Sequence, residues 1–538
     1  MAEWARDSAD MVNVMAEGED DQKKVLSFMA LPGAYPDRPA TVERIDTHAS
    51  SVFLAGSFAY KVKRAVKYPF LDFSTVALRH QACLNELRIN RRTAPDLYLD
   101  LVPITLASDG LFRLGGAGEA VEWALRMRRF DQASLYERMA AEGRLEVSAM
   151  GPLAAAIAAF HVIADRCLTP RQAVLPLEGV LAENQSVLAA NCDLFPPAEA
   201  HALTKASRDA LAAVAPLLEA RASGGYVRHC HGDLHLRNIV EIAGKPVLFD
   251  AIEFDDSLAT IDVLYDLAFL LMDLGKRGLR AHANDVLNAY LDIEGSTGNL
   301  LGLSALPLFL SMRAMIRAKV ELLRGDKADT GEAKAQAREE ARAYFELACS
   351  FIASADRAQL IAIGGLSGSG KSAVGRRIAR RIGAFPGAVH VRSDVERKRL
   401  FGVAANTRLP DRAYAPEISD EIYAICRKRA RLALRAGRSV IVDAVHAKPE
   451  ERAAIEAVAV QQNACFTGLW LEAPAAMMRA RVAERTGDVS DATPSVVDAQ
   501  LRYEIGPQSF AAIDAALPLD RVVAAALDAI GATTGRRS

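Results

Sequence analysis

No pair of cysteines in this 538-residue chain stands at C-x-x-C spacing. The seven present, at positions 83, 167, 192, 230, 349, 426 and 465, also lack a histidine at zinc-ligand spacing. A disulfide framework and a zinc ribbon are therefore excluded as organising devices, and reduced, mostly buried thiols are the expectation. Aromatic residues make up only 6% of the chain, and Phe385, Phe401, Tyr414 and Tyr423 follow no pattern that would stack nucleobases. Long apolar runs are missing too: the longest, Leu300 to Met312, contains Pro307 and is too short to cross a bilayer. Where a signal peptide would have basic and apolar regions, the chain has Glu3, Asp7, Asp10, Glu17, Glu19, Asp20 and Asp21. A cytoplasmic protein with no membrane association is the expectation. No internal repeat or low-complexity segment occurs.

What is present describes an ordinary globular protein, with 51% hydrophobic and 25% charged residues. At about 150 residues per domain, the length suggests two to four domains. The net charge of −2 is unevenly spread, since residues 361 to 538 hold 26 Lys+Arg against 19 Asp+Glu, or +7, leaving −9 for the rest. The basic part contains Gly365-Leu366-Ser367-Gly368-Ser369-Gly370-Lys371-Ser372, which completes the G-x-x-x-x-G-K-[ST] pattern of a phosphate-binding loop. Glycines let backbone N–H groups converge on phosphates, Lys371 neutralises charge on them, and Ser372 offers a hydroxyl to Mg²⁺. Leu360 to Ile363 reads as a buried strand and Ala373 to Ile382 as a helix, the context such a loop requires.

Upstream, residues 1 to 40 read as a loosely held extension of helix and turns. Strands are predicted at Val42 to Ile45, Ser51 to Leu54 and Phe58 to Val62. In the third of these, Lys61 and Lys63 share a face. A helix is predicted from Thr75 to Arg92, with Leu78, Ala82, Leu84, Leu87 and Ile89 as its apolar contacts and Glu86 within it. Further strands and then a long helical part suggest a small sheet-rich lobe followed by a larger helical one. Arg313, Arg317 and Lys319 read as a solvated or cleft-facing stripe, and Ser354 to Ala358 as a domain boundary. The domains are therefore 41–354 and 359–538.

The helical part contains His229-Cys-His231-Gly232-Asp233-Leu-His235-Leu-Arg-Asn238, then Pro246-Val-Leu-Phe-Asp250-Ala-Ile-Glu253. Asp233 and Asn238 have the spacing of a phosphotransfer catalytic loop, and Asp250 ends a strand where a metal-binding carboxylate sits. The run His231 to Asn238 and the helix Asp262-Val-Leu-Tyr-Asp266-Leu-Ala resemble the aminoglycoside phosphotransferase and choline kinase branch of the protein-kinase-like fold. The resemblance implies that Asp233 is the base for an acceptor hydroxyl and that Asn238 and Asp250 hold Mg²⁺. It also implies that Lys61 touches the ATP phosphates and pairs with Glu86. Lys63, on the same face, is an alternative to Lys61. Thr47-His-Ala-Ser-Ser51 stands where a protein kinase has its glycine loop. His229, His231 and His235 read as packing the catalytic loop rather than binding metal.

Beyond the glycine loop, Val389 to Arg392 is a strand followed by Asp394, and Ser439-Val-Ile-Val-Asp443 is an apolar strand delivering a carboxylate towards Mg²⁺. Arg481 and Arg485, on one helical face, read as a lid over the transferring phosphate. The arrangement resembles the P-loop kinases grouped with zeta toxin, gluconate kinase and phage polynucleotide kinase. That resemblance implies that Asp394 positions the acceptor hydroxyl and that Arg397 contacts acceptor or phosphate. The expected fold class is thus α/β and α+β, with a bilobal protein-kinase-like part before a P-loop NTPase part whose parallel sheet is flanked by helices. The expected activity is tandem ATP- and Mg²⁺-dependent transfer to small hydroxyl acceptors. The alternatives are a nucleotide-sensing regulator and, less favoured, a kinase for nucleic-acid 5′-hydroxyl ends.

Overall fold

The computed structural model describes residues 22–47, 49–68, 71–353, 357–484 and 489–534. The acidic N-terminal stretch before residue 22, His48, part of the Ser354 to Ala358 boundary, and Arg485 lie outside them. The chain gathers into two compact units: one of residues up to 145 with 159–167 and 227–266, the other of 146–158, 168–226 and 267 onward.

The first unit is built on a six-stranded antiparallel sheet. Its strands are β1 (Val42–Asp46), β2 (Ser50–Ala55), β3 (Phe58–Lys63), β4 (Tyr98–Leu106), β5 (Phe112–Leu114) and β6 (Ala120–Arg128), in the order β1-β2-β3-β6-β4-β5. Period-two alternation sends Phe53, Tyr60, Val62 and Ile104 to one face and Leu54, Ala59, Leu125 and Met127 to the other. On the first face lies helix α1 (22–29), whose Val25, Leu26 and Met29 are buried with Tyr35. Gln22 at its start donates to Lys63 O and Glu122 Oε2, both at 2.8 Å. This segment is part of the core, not the loosely held extension expected from its polar beginning and prolines.

Helix α2 (Val76–Asn90) is capped by the Thr75 hydroxyl, which accepts from Leu78 N–H. Its buried face is Arg79, Ala82, Cys83, Glu86, Ile89 and Asn90. Leu78 and Leu84, expected in the core, are 43% and 40% exposed. Polar residues took the inward face because each has a partner there: Arg79 pairs with Glu122, and Asn90 Oδ1 accepts from Ala251 N–H at 2.9 Å. Short strands that frame the site are β7 (Val227–His229), β8 (Ile239–Ile242), β9 (Lys245–Leu248) and β10 (Thr260–Asp262). β8 pairs with β9 and β7 with β10, so the loop 230–238 is held at both ends.

The second unit contains the helices α3 (Leu175–Ala190), α4 (Pro197–Ser223), α5 (Arg280–Glu294), α6 (Leu306–Asp326) and α7 (Gly331–Ile352). Arg313, Arg317 and Lys319 do not form a solvated stripe. Arg313 is buried with its guanidinium 4.7 Å from the Phe269 ring centre, Arg317 pairs with Glu321 and Lys319 with Glu183. The helical run 297–326 is longer than the apolar stretch read from sequence, and is long and apolar enough to cross a membrane. Its most apolar window is 78% buried, the behaviour of a core helix.

The same unit holds a five-stranded sheet of β11 (Gln359–Gly364), β12 (Val389–Arg392), β13 (Val440–Asp443), β14 (Cys465–Glu472) and β15 (Ala511–Asp514). All pairings are parallel, in the order β12-β13-β11-β14-β15. The central strand β11 is buried on both faces, as its unbroken apolar run requires. It is followed by the glycine loop and helix α8 (Lys371–Ala379), and α9 (Ser393–Leu400) follows β12. Both halves of the expected fold class are therefore present. All seven cysteines are free, but only Cys83, Cys230 and Cys426 are fully buried and Cys192 is exposed.

Candidate active sites

In the first unit, the alternation of β3 turns Lys61 and Lys63 towards α2, where Glu86 is fully buried. Lys61 Nζ lies 2.8 Å from Glu86 Oε1 and 2.6 Å from Asp250 Oδ1. Lys63 Nζ lies 2.5 Å from Glu86 Oε2 and also pairs with Glu253. Burial opposes ionisation of Glu86, but the two lysines outweigh it and draw its carboxyl down to about 2. Burial likewise opposes charge on Lys61, yet Asp250 and Glu86 hold its ammonium well above the ordinary lysine value. Glu253, buried beside Glu86, is pushed up by desolvation despite Lys63.

The loop 230–238 presents Asp233, whose Oδ2 accepts from Asn238 Nδ2 at 2.9 Å and lies 3.3 Å from His235 Nε2. Gly232 has φ +79°, and a Cβ there would meet Ile252 Cδ1 at 2.8 Å, so the loop needs glycine at this point. Asp250 adopts φ +61°, rare for a non-glycine residue. Its backbone N–H donates to the Tyr98 hydroxyl at 3.1 Å. The three histidines turn to separate partners: His229 to Asp256, His231 to Phe249 O and His235 to Asp233. His161, Cys230 and Asp266 bring ligand atoms within 4.8 Å of one another. Asp266 there already accepts from the N–H groups of His231 and Gly232 and meets His161 Nε2, so it works as the anchor of the loop 230–238.

A cavity of about 420 Å³ is lined by Lys61, Asp233, Asn238 and Asp250 among others. Where a glycine loop was missing from the sequence, Thr47 and Ser50 close a tight turn through Thr47 N–H to Ser50 O, 2.8 Å, and Ser50 N–H to Thr47 Oγ1, 2.9 Å. Residues of this turn also line the cavity.

In the second unit, Gly365, Gly368 and Gly370 have φ of +137°, +82° and +94°. A Cβ on Gly368 would come within 2.5 Å of Met478 O, and one on Gly365 within 2.7 Å of Leu471 O. At Gly370 the nearest atom is Arg481 Nη1 at 3.9 Å, so the loop is open there. Leu366 is buried, and the Ser367 N–H donates to Gln500 Oε1 at 2.7 Å. Lys371 Nζ donates to the carbonyls of Gly365 and Leu366 at 2.8 and 3.1 Å. Ser372 Oγ donates to Asp443 Oδ2 at 2.5 Å, with Ser369 also in the loop. This hydroxyl and carboxylate are hard oxygen donors beside an open glycine cradle, and they fit Mg²⁺.

Burial would raise the Asp443 carboxyl, but the surrounding His390, Lys371 and Ser372 hold it below the ordinary aspartate value. Asp394 goes the other way: burial and the Asp443 charge push it up against a Ser490 hydrogen bond and the charges of Lys371 and Arg397. Both aspartates, Lys371 and Arg397 line a cavity of about 780 Å³. Arg397 is buried, bonded to Ala413 O and stacked 4.8 Å from the Tyr414 ring centre. A second cavity of about 490 Å³ shares Gly370 and Ser372 with the first, and its lining includes Val374, Leu517 and Val522 beside the charged Arg481 and Glu484. Arg481 donates to Ala515 O at 3.0 Å and Gly368 O at 3.4 Å, which sets it against the loop.

Residues 360–504 match the AAA domain family. That stretch takes in the glycine loop, Asp394, Asp443 and Arg481. An uncharacterized protein of Mycobacterium tuberculosis (strain ATCC 25618 / H37Rv) is 28% identical over 485 residues, 89% of this chain and 93% of that protein. An uncharacterized protein of Mycobacterium bovis matches to the same extent. Among solved structures, a gluconokinase from Sinorhizobium meliloti 1021 is 24% identical, covers 32% of this chain and 92% of its own, and has a TM-score of 0.24. A choline/ethanolamine kinase family protein from Mesorhizobium loti is 16% identical, covering 61% and 98%, with a TM-score of 0.38.

Sequence reasoning missed Glu253, Asn90 and Tyr98 in the first site and His390, Ser490 and Gln500 in the second. Of these only Glu253 carried a local signal, lying three residues after Asp250.

Proposed function

We propose that the chain is a tandem ATP-dependent phosphotransferase that moves the ATP γ-phosphate onto hydroxyl acceptors at two sites. The observation that carries the reading is the second site, where Lys371, Ser372 and Asp443 share one cavity with Asp394. The apolar side of the smaller cavity, Val374, Leu517 and Val522, suits a nucleoside, and the glycine loop at Gly370, which lines both cavities, suits its phosphates. Lys371 and Arg481 neutralise charge as it develops. As the acceptor oxygen bonds to phosphorus, its proton passes to the Asp394 carboxylate, the bond from phosphorus to the bridging oxygen breaks, and ADP leaves. The raised Asp394 carboxyl makes it a stronger base than an ordinary aspartate. Mg²⁺ held by Ser372 and Asp443 would spread the charge of the β- and γ-phosphates.

In the first site Asp233 is the corresponding base, Asn238 and Asp250 are the Mg²⁺ ligands, and Lys61, aligned by Glu86, holds the phosphates. A small polar metabolite suits the first site and a sugar or nucleotide the second. Seven carboxylates against five cationic side chains line the larger cavity, which disfavours a nucleic-acid end as acceptor. The test is to incubate the full chain with γ-labelled Mg-ATP and a small-molecule cell extract. Label entering an organic product, and lost in Asp394→Asn, supports the reading. Label released only as free phosphate, equally in both proteins, contradicts it and favours a nucleotide-driven switch.

A further inference from the structure

β12, which leads into Asp394, is an edge strand of the parallel sheet. Its inner edge pairs with β13 in the register His390↔Ile441 and Arg392↔Asp443. An edge strand leaves alternate N–H and C=O groups unpaired on its outer side. Here the outer side is closed by helix α5, not by another strand. The Asn288 carboxamide accepts from His390 N–H at 2.7 Å and donates to Ala388 O at 3.1 Å. Those two groups flank Val389, and they are the pair that a residue on a neighbouring parallel strand would bond. A carboxamide has the donor and acceptor of a peptide group, so Asn288 acts as a one-residue strand.

The same helical face continues the contact at four-residue intervals. One turn earlier, Asn284 Nδ2 donates to Ala388 O at 3.1 Å, and one turn later Asp292 Oδ2 pairs with Arg392 Nη2 at 2.6 Å. Asp292 O also accepts from Arg399 of α9 at 2.7 Å. The groups held are those that aim the site. His390 Nε2 lies 3.7 Å from Asp443 Oδ2, and its ring occupies space that only Gly375 leaves open, since a Cβ there would stand 2.6 Å from it. Arg392 lines the large cavity and precedes Asp394 by two residues.

We propose that Asn284, Asn288 and Asp292 are positioning residues of the P-loop site: this side-chain ladder fixes the register of β12 and thereby the aim of Asp394. The inference rests on the phosphotransferase reading of that site. The glycine loop follows a different strand, β11, so the backbone cradle for the phosphates does not hang on the ladder while the aim of Asp394 does.

The test uses the full chain in an Asp233→Asn background, with water standing in for the acceptor. It measures γ-phosphate release from Mg-ATP, affinity for a non-hydrolysable ATP analogue, and hydrogen exchange at the His390 amide. Asn288→Ala is expected to lower the release rate about tenfold or more, as small misplacements of a reacting group do, while analogue affinity stays unchanged. Exchange at His390 is expected to quicken. Asn288→Asp keeps the acceptor for His390 N–H but loses the donor to Ala388 O, and is expected to fall between wild type and Ala. An unchanged release rate with a fast-exchanging His390 would overturn the inference, as would release and affinity falling together. If Lys371→Ala released phosphate and bound analogue like wild type, the phosphotransferase reading itself would fail, a result independent of any Asn288 variant.

Discussion

Lys61 Nζ lies 2.6 Å from Asp250 Oδ1 while holding Glu86 on its other side, whereas the neighbouring Lys63 shares Glu86 but has Glu253 as its second partner. Two lysines that the sequence leaves equivalent thus have different surroundings. Lys61→Met is expected to reduce transfer at the first site about a hundredfold or more, because on the proposed reading it removes a charge that acts on the phosphates, and to cost less stability than Lys63→Met, since Lys63 still holds Glu86. Lys63→Met is expected to cost about 3 kcal/mol of stability, because Glu253 then stays buried without its partner. Denaturant unfolding beside initial rates would separate the two.

Glu86 sets a pH dependence of stability. Its carboxyl is drawn down to about 2 in the folded state from an ordinary 4.5. The unfolded chain therefore binds this proton first as pH falls, so the stabilisation is complete above the unfolded value and is lost towards the folded one. Thermal melts between pH 5 and 3 are expected to show a drop in the first unit that Glu86→Gln lacks, its baseline being lower throughout.

Two glycines of the phosphate loop are expected to respond differently. Gly368→Ala drives a Cβ to 2.5 Å from the Met478 carbonyl at a φ of +82°, so nucleotide binding is expected to be lost. At Gly370 the nearest atom is 3.9 Å away, and Gly370→Ala is expected to cost only about 1–2 kcal/mol for the left-handed backbone. Calorimetric titration with Mg-ATP on each variant checks this.

The glycine loop and the Asp233, Asn238 and Asp250 set were legible because each is fixed by neighbours in sequence: a strand, a tight turn and a helix or second strand. Contacts across the chain were not. Glu253 reaches Lys63 over 190 residues and Asn288 reaches His390 over 102, with no spacing rule to connect them. Periodicity also misassigned Leu78 and Leu84, since α2 buries Arg79, Glu86 and Asn90 against specific polar partners that apolar counting ignores. Residues 22–40 were undervalued for the opposite reason, as Val25, Leu26, Met29, Ala34 and Tyr35 are enough to seat the segment on the sheet.

The pH profile at the second site carries its own signature. Because burial and Asp443 push the Asp394 carboxyl above its ordinary 3.8, the proton must leave it at a higher pH before it can act as base. The acid limb of kcat is expected above the ordinary aspartate range. Asp394→Asn is expected to abolish that limb while lowering the rate about a hundredfold or more.

Label transfer from γ-labelled Mg-ATP in a small-molecule extract, compared across wild type, Asp233→Asn, Asp394→Asn and the double variant, tests the claim of two separate sites most directly. The expected result is two labelled products, one lost in each single variant and both lost in the double variant. Products that persist in the double variant, or that vanish together in either single one, would contradict it.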